Sequence, residues 1–174
     1  MELLQILQNR GSVRTYTGET IPEEKLNLVL QAGLLSPSGR NRRPWELIVV
    51  REKETLAKLA NCRDHGAGML TGADTAIVVF ADPEKTDVWT EDASIIMTSM
   101  HIMADSLGLG SCWIQGRLRI AEDGRPTEEY VRELLGVPEH YKLEAILSLG
   151  MPDSHPEPKK LGDLMTEKIH REKF

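Results

Sequence analysis

Seven consecutive residues, Thr75-Ala-Ile-Val-Val-Phe-Ala81, leave no charged side chain for either face of an extended segment, so the run reads as a strand buried inside the fold. A strand of that kind needs other elements to cover it. Leu3, Leu4, Ile6 and Leu7 mark a short amphipathic helix. Thr20-Ile-Pro-Glu23 has the form of a capping box and precedes Leu26, Val29, Leu30 and Leu34 at helical spacing. Pro37, Gly39 and Pro44 break that helix, and Trp45 to Val50 is a short apolar run of strand type. Residues 55–61 read as helix. Ile96, Met100, Met103, Ala104 and Leu107 trace a long helix that starts near Glu91 and stops at Gly108. Ser111 to Ile114 read as a third strand and Thr127 to Leu135 as a helix closed by Gly136. Leu143, Ala145, Leu147 and Leu149 alternate along a fourth strand. The expected architecture is three-layered, α/β or α+β.

At 174 residues the chain can bury one sizeable core, so residues 1–174 are expected to form a single domain. Beyond Gly150 the composition changes. Pro152, Pro156 and Pro158 precede Lys159-Lys160, and the tail 153–174 is too polar at first to pack as a core helix of its own chain, so it is expected to lie along another surface. A net charge of −6 argues against broad attraction to nucleic acid or to an anionic membrane. No apolar run is long enough to cross a bilayer. Cys62 and Cys112 lack a CxxC or Cys/His spacing and read as two thiols in a reducing compartment, which suggests a cytoplasmic protein. The five histidines show no ligand spacing, and no metal is expected.

Three stretches carry candidate chemistry. In Arg10-Gly-Ser-Val-Arg14 the arginines are either solvated charges after a helix or a local anion site. The second reading gains from Ser12, a good phosphate donor, and from Gly11, which permits close backbone approach; a terminal phosphate is the natural guest. Pro37-Ser-Gly-Arg-Asn-Arg-Arg-Pro-Trp45 is either a polar helix-to-strand connection or a set of donors and acceptors aimed at a flat heterocycle. Leu107-Gly-Leu-Gly-Ser-Cys-Trp-Ile-Gln-Gly116 is no dinucleotide fingerprint, because its glycines follow a helix and precede a strand. Asp92 reads as a cap or a dipole partner of the long helix, and His101 as a satisfied helix histidine. Arg10, Arg14, Arg40, Arg42 and Arg43 together also admit a nucleic-acid module, which the net charge opposes.

Together these stretches resemble the FMN-dependent nitroreductase family over nearly the whole chain. The likeness rests on Arg10-Gly-Ser-Val-Arg14 with Tyr16, on Ser36-Pro-Ser-Gly-Arg-Asn41 with Pro44-Trp45, and on Ala76-Ile-Val-Val, Glu91-Asp-Ala-Ser94, Gly108-Leu-Gly-Ser-Cys-Trp-Ile114, Gly150-Met-Pro152 and Glu172-Lys-Phe174. It implies an α+β fold, a three-layer α/β/α sandwich with a central mixed sheet and a C-terminal arm reaching the partner subunit of a homodimer. It implies that Arg10, Gly11, Ser12 and Arg14 hold the FMN phosphate and neighbouring edge, with Lys159 and Lys160 as a second phosphate clamp. Pro37, Ser38, Gly39 and Asn41 would meet the flavin bound mainly by the partner, and Trp113, Ile114, Gln115 and Gly116 would lie beside the ring. Arg43 and Gln115 depart from the family's usual Gln and Gly, and the expected pyrimidine contact has only Arg63 and His65 as candidates. The implied activity is hydride transfer from NADH or NADPH, then two-electron ping-pong reduction of a nitroaromatic, quinone or similar flat acceptor, with no obligatory catalytic side chain. The alternatives are a flavin store or redox sensor, or a reductive dehalogenase on the same scaffold.

Overall fold

A computed structural model describes residues 2–174. In chain order the elements are α1 (Leu3–Asn9), α2 (Glu23–Leu34), β1 (Trp45–Val50), α3 (Lys53–Leu59), β2 (Thr75–Ala81), α4 (Trp89–Ser106), β3 (Gly110–Gln115), α5 (Thr127–Leu135) and β4 (Lys142–Gly150). The strands lie in the order β1-β2-β4-β3. All seven residues of β2 are buried, as the apolar run demands, and they serve two cores. Ile77, Val79 and Ala81 meet α2 and α4 through Val29, Ile96, Met97 and Met100. Ala76, Val78 and Phe80 meet α3 and α5 through Leu56, Leu59 and Val131. The result is the expected α/β/α sandwich, of α+β class.

The expectation of a mixed sheet is corrected: every ladder among the described residues is antiparallel. α4 carries the chain from β2 across to β3, and both of these strands are antiparallel to β4, so they run parallel to each other. β4 then occupies the slot between them, a split crossover whose outer strands never pair. That insertion also explains β4 itself, which is buried on both faces rather than on the alternate set alone.

Helix ends follow their local chemistry only in part. Gly136 closes α5 at φ 67° in the left-handed region. The capping box read at Thr20 does not form, because Pro22 is the cap residue of α2 and no side chain caps it. A reciprocal box of that kind joins Glu2 and Gln5 on α1 instead. After Pro152 the tail makes two short 3-10 turns, and residues 153–174 are exposed on the single chain, including Leu161, Leu164, Met165, Ile169 and Phe174.

Candidate cofactor site

The chain leaves α1 at Arg10 and runs extended along the open edge of β3. Val13 N–H donates to the Ser111 carbonyl at 2.9 Å. The Tyr16 hydroxyl donates to Val13 O at 3.0 Å and meets Ser148 Oγ at 2.7 Å, while Tyr16 bridges to Pro152 beyond the end of β4. Burial pushes the Tyr16 phenol up to about 12, so it stays a neutral strut under the segment. Val13 is buried, Ser12 is half-buried and Arg14 is exposed. Burial also pushes the Cys112 thiol up, with Arg14 and Ser12 opposing, which places that thiol directly beneath the basic stretch.

Arg10 Nη1 donates to His101 Nε2 at 2.8 Å. A guanidinium has only donors, so the imidazole accepts on Nε2 and carries its proton on Nδ1, where it meets Ser111 Oγ. Burial pushes His101 down to about 4, and the charges of Arg10 and Lys159 act in the same direction. A neutral ring orients Arg10 without offsetting its charge. Lys159 Nζ donates to Arg10 O at 3.0 Å, Lys159 N–H to Gln8 O at 2.8 Å, and Gln8 Nε2 to Lys159 O at 3.1 Å. The tail is thereby brought beside Arg10. The space a Gly11 side chain would need is filled by Pro156, 2.8 Å from the Cβ position, so the close approach at this glycine is made by the tail. Lys160 is exposed and lines a cleft of about 230 Å³ with Leu4, Leu7 and Leu164. Arg14 makes one weak bond, 3.5 Å to Ser12 O. Among the described residues Arg10, Arg14, Lys159 and Lys160 have no carboxylate within 4.0 Å. In a chain of net charge −6, these four cations without acidic partners are a donor set of the kind that suits an anion.

The state of His101 has a consequence for stability. Its folded value, about 4, lies below the ordinary histidine value, so as pH falls the unfolded chain takes up the proton first. The fold keeps its full stability above the ordinary value and loses it progressively towards the folded one. Between pH 7.5 and 4.5, flavin-free protein is expected to lose roughly 2–3 kcal/mol more unfolding free energy than His101→Gln, read from urea midpoints. Equal acid sensitivity of the two proteins would show that His101 titrates normally.

Along β3 the backbone alternates. Ser111 turns its carbonyl outward to Val13, so Trp113 and Gln115, two and four residues on, present their N–H groups on the same open edge. Ile114 faces the β4 ladder, and the Gly116 N–H donates to Glu144 O at 3.1 Å. Of the four candidate positions, Trp113 and Gln115 therefore hold the edge donors. The Gln115 side chain bridges this edge, accepting from Trp113 Nε1 at 2.9 Å and donating to Arg117 O and Glu144 O. Arg63 and His65 stand elsewhere, beside the 120–127 segment on the α3 and α5 side.

The loop after α2 sits on the opposite end of α4. Gly39 N–H donates to Asp92 Oδ1 at 2.8 Å, Arg43 N–H to Ser38 Oγ at 2.9 Å, and Arg43 Nε–H to Asn41 Oδ1 at 2.9 Å. Pro37 and Asn41 are exposed, while Ser38 and Gly39 are half-buried. Asp92 is therefore no cap, since Val88 occupies that place without a side-chain bond. From Asp92 to His101 is nine residues, about 13 Å along the helix axis, so one chain holds its loop and its basic stretch at separate stations on α4. Nothing in the local sequence around His101, Ser111 or Asp92 announces these long-range partners.

The chain matches the family model described as "Nitroreductase family" over residues 7–64 and 59–151. A protein of Archaeoglobus fulgidus assigned as an NADH dehydrogenase/NAD(P)H nitroreductase is 35% identical over 181 residues, covering 99% of both chains. The solved structure of an FMN-dependent nitroreductase from Clostridium difficile R20291 superposes with a TM-score of 0.95 at 43% identity, covering 98% of this chain and 99% of that one. A nitroreductase of Desulfovibrio desulfuricans, solved in complex with FMN, superposes with a TM-score of 0.79 at 26% identity over 100% of this chain and 98% of its own.

Proposed function

This chain belongs to the nitroreductase family, and from that premise we propose that it is an FMN oxidoreductase reduced by NADH or NADPH, which passes two electrons to a flat acceptor such as a nitroaromatic or a quinone. The observation that carries the reading is the group of cations without acidic partners around Arg10 and Arg14. Its donor set suits a dianionic phosphate monoester. Arg14, free of other strong bonds, takes the phosphate oxygens, with Ser12 and Lys159 beside it and Lys160 as the outer member of the clamp. Arg10, held by neutral His101, serves the same end from below. Bound FMN supplies the redox chemistry, accepting hydride and passing electrons on. The N–H groups of Trp113 and Gln115 line the edge where hydrogen bonds to the ring would help stabilise developing negative charge.

The active species is a homodimer in which Pro37, Ser38, Gly39 and Asn41 complete the site of the partner subunit. Supporting this, the loop and the basic stretch of one chain lie far apart on α4, and Leu34 and Leu35 stand exposed beside the loop. Two free, buried cysteines suit a reducing, cytoplasmic setting. The purified protein is expected to be yellow, with close to one FMN per chain, and a colourless protein that ignores added FMN would refute the assignment. Donor and acceptor are expected to use the site in turn. Double-reciprocal plots should then run parallel, and enzyme reduced and freed of nicotinamide should be reoxidised by acceptor alone. Converging lines would instead require both substrates bound together.

A further inference from the structure

Asp92 is 2% exposed, and its two carboxylate oxygens meet different fates. Oδ1 accepts the Gly39 N–H at 2.8 Å, whereas Oδ2 is buried without a partner among the described residues. A buried carboxylate with so few bonds is a poor stabilising device, even with the positive end of the α4 dipole to favour its charge. What it holds is unusual in its own right. Arg40, Asn41 and Arg43 all adopt left-handed backbone, at φ 51°, 56° and 46°. Three non-glycine residues in that region within four positions persist only where surrounding contacts over-determine them. Most of those contacts lie within the loop. Asn41 N–H donates to Ser38 O and Arg42 N–H to Gly39 O, Ser38 Oγ and Asn41 Oδ1 bind Arg43, the Arg42 guanidinium reaches Lys85 O, and Asp92 alone fastens the Gly39 backbone to α4. A Cβ at Gly39 would sit 3.0 Å from Val88 Cγ2, so the loop backbone lies directly on the first turn of the helix.

We propose that Asp92 is a positioning residue acting in trans: by holding the Gly39 N–H it fixes the 38–43 loop in the shape that completes the FMN site of the partner subunit. This rests on the shared FMN site proposed above, and it gives the Asp92 of one chain no influence on the phosphate held by its own Arg14. The two defects therefore separate by subunit. In a dimer pairing an Arg14→Ala chain with an Asp92→Ala chain, one site combines both lesions. The other combines an intact Arg14 with a loop held by an intact Asp92.

The experiment is to co-express the two variants under different affinity tags, isolate the doubly tagged dimer and titrate it with FMN by flavin fluorescence. Each parent homodimer is expected to bind FMN about tenfold or more weakly than the unaltered protein. The mixed dimer is expected to regain unaltered affinity in roughly half of its sites, as two-fold symmetry requires. Asp92→Asn, which keeps an oxygen for Gly39, is expected to bind FMN within a few-fold of the parent. Weak binding at every site of the mixed dimer would place the effect of Asp92 within its own subunit and overturn the inference; the same mixing with Asn41→Ala in place of Asp92→Ala, if it then restores half of the sites, shows that the shared site still stands. An unaltered protein that binds no FMN, or variants that yield no mixed dimer, would overturn the proposed site along with it. Should Asp92→Ala fail to fold, Gly39→Pro removes the same hydrogen bond from the loop side, and the mixing experiment is run with that chain under the same expectations.

Discussion

Removing the chain after Pro152 is expected to convert the protein to a monomer and to lower its affinity for FMN at least a hundredfold. Two separate losses combine. The tail presents Leu161, Leu164, Met165, Ile169 and a fully exposed Phe174 without a core of their own. At about 1.5–3 kcal/mol for each large apolar side chain, covering these five against a second subunit would contribute roughly 7–15 kcal/mol gross per arm, before the entropy of ordering and association is charged against it. The first part of the tail matters in a different way, because Lys159 bonds to Arg10 O, Pro156 covers Gly11, and His155 Nε2 meets Asp105 Oδ1 at 2.9 Å. Truncation at Pro152 strips these contacts from the basic stretch and from α4, and removes Lys159 from the proposed phosphate clamp. Sedimentation and FMN titration of the truncated chain check both halves. Should it remain a dimer with its full flavin content, the arm would be an appendage and the dimer would be held by other surfaces. A shorter truncation, after Lys160, is expected to weaken association while sparing more of the flavin affinity.

How far the sequence foretold this arrangement varies with the range of the interactions involved. The β2 run was legible because seven residues without a charged side chain admit only a doubly covered strand, and both cores are present. α5 was legible to the residue because Gly136 ends it by local backbone chemistry. The antiparallel sheet was not, because β4 enters a slot between β2 and β3, and nothing in residues 142–150 says which neighbours they will meet. In the same way Thr20-Ile-Pro-Glu23 carries the letters of a capping box, but Pro22 takes the cap position, and the pattern cannot register that. The candidate site divides along the same line. Arg10, Ser12 and Arg14 stand out as a short motif, whereas His101, which fixes the direction of Arg10, lies 91 residues away. Gly11 shows the limit of local reading: its small size admits Pro156 from the tail, a partner invisible from the motif alone.

Arg14→Ala is expected to separate the phosphate from the rest of the flavin. Arg14 is exposed and, among the described residues, belongs to no ion pair and makes one 3.5 Å bond to its own loop, so the fold should barely register its loss, within about 0.5 kcal/mol by thermal or urea unfolding. A charge-assisted Arg–phosphate interaction is worth roughly 1.5–3 kcal/mol, which is on the order of tenfold to a hundredfold in FMN affinity. Riboflavin has the same ring and ribityl chain without the phosphate, and its affinity should stay nearly constant. Arg10→Ala makes the complementary case. Its guanidinium is tied to His101, so its removal should lower FMN affinity and also loosen the neutral imidazole at Ser111, while the Lys159 bond to the backbone carbonyl is kept. The signature of this second variant is a loss of unfolding free energy that Arg14→Ala does not share. Calorimetric titration of both variants with FMN and with riboflavin decides the matter. If Arg14→Ala weakens the two ligands equally, the side chain touches the ribityl or the ring, and the phosphate is held by Arg10 and Lys159 alone.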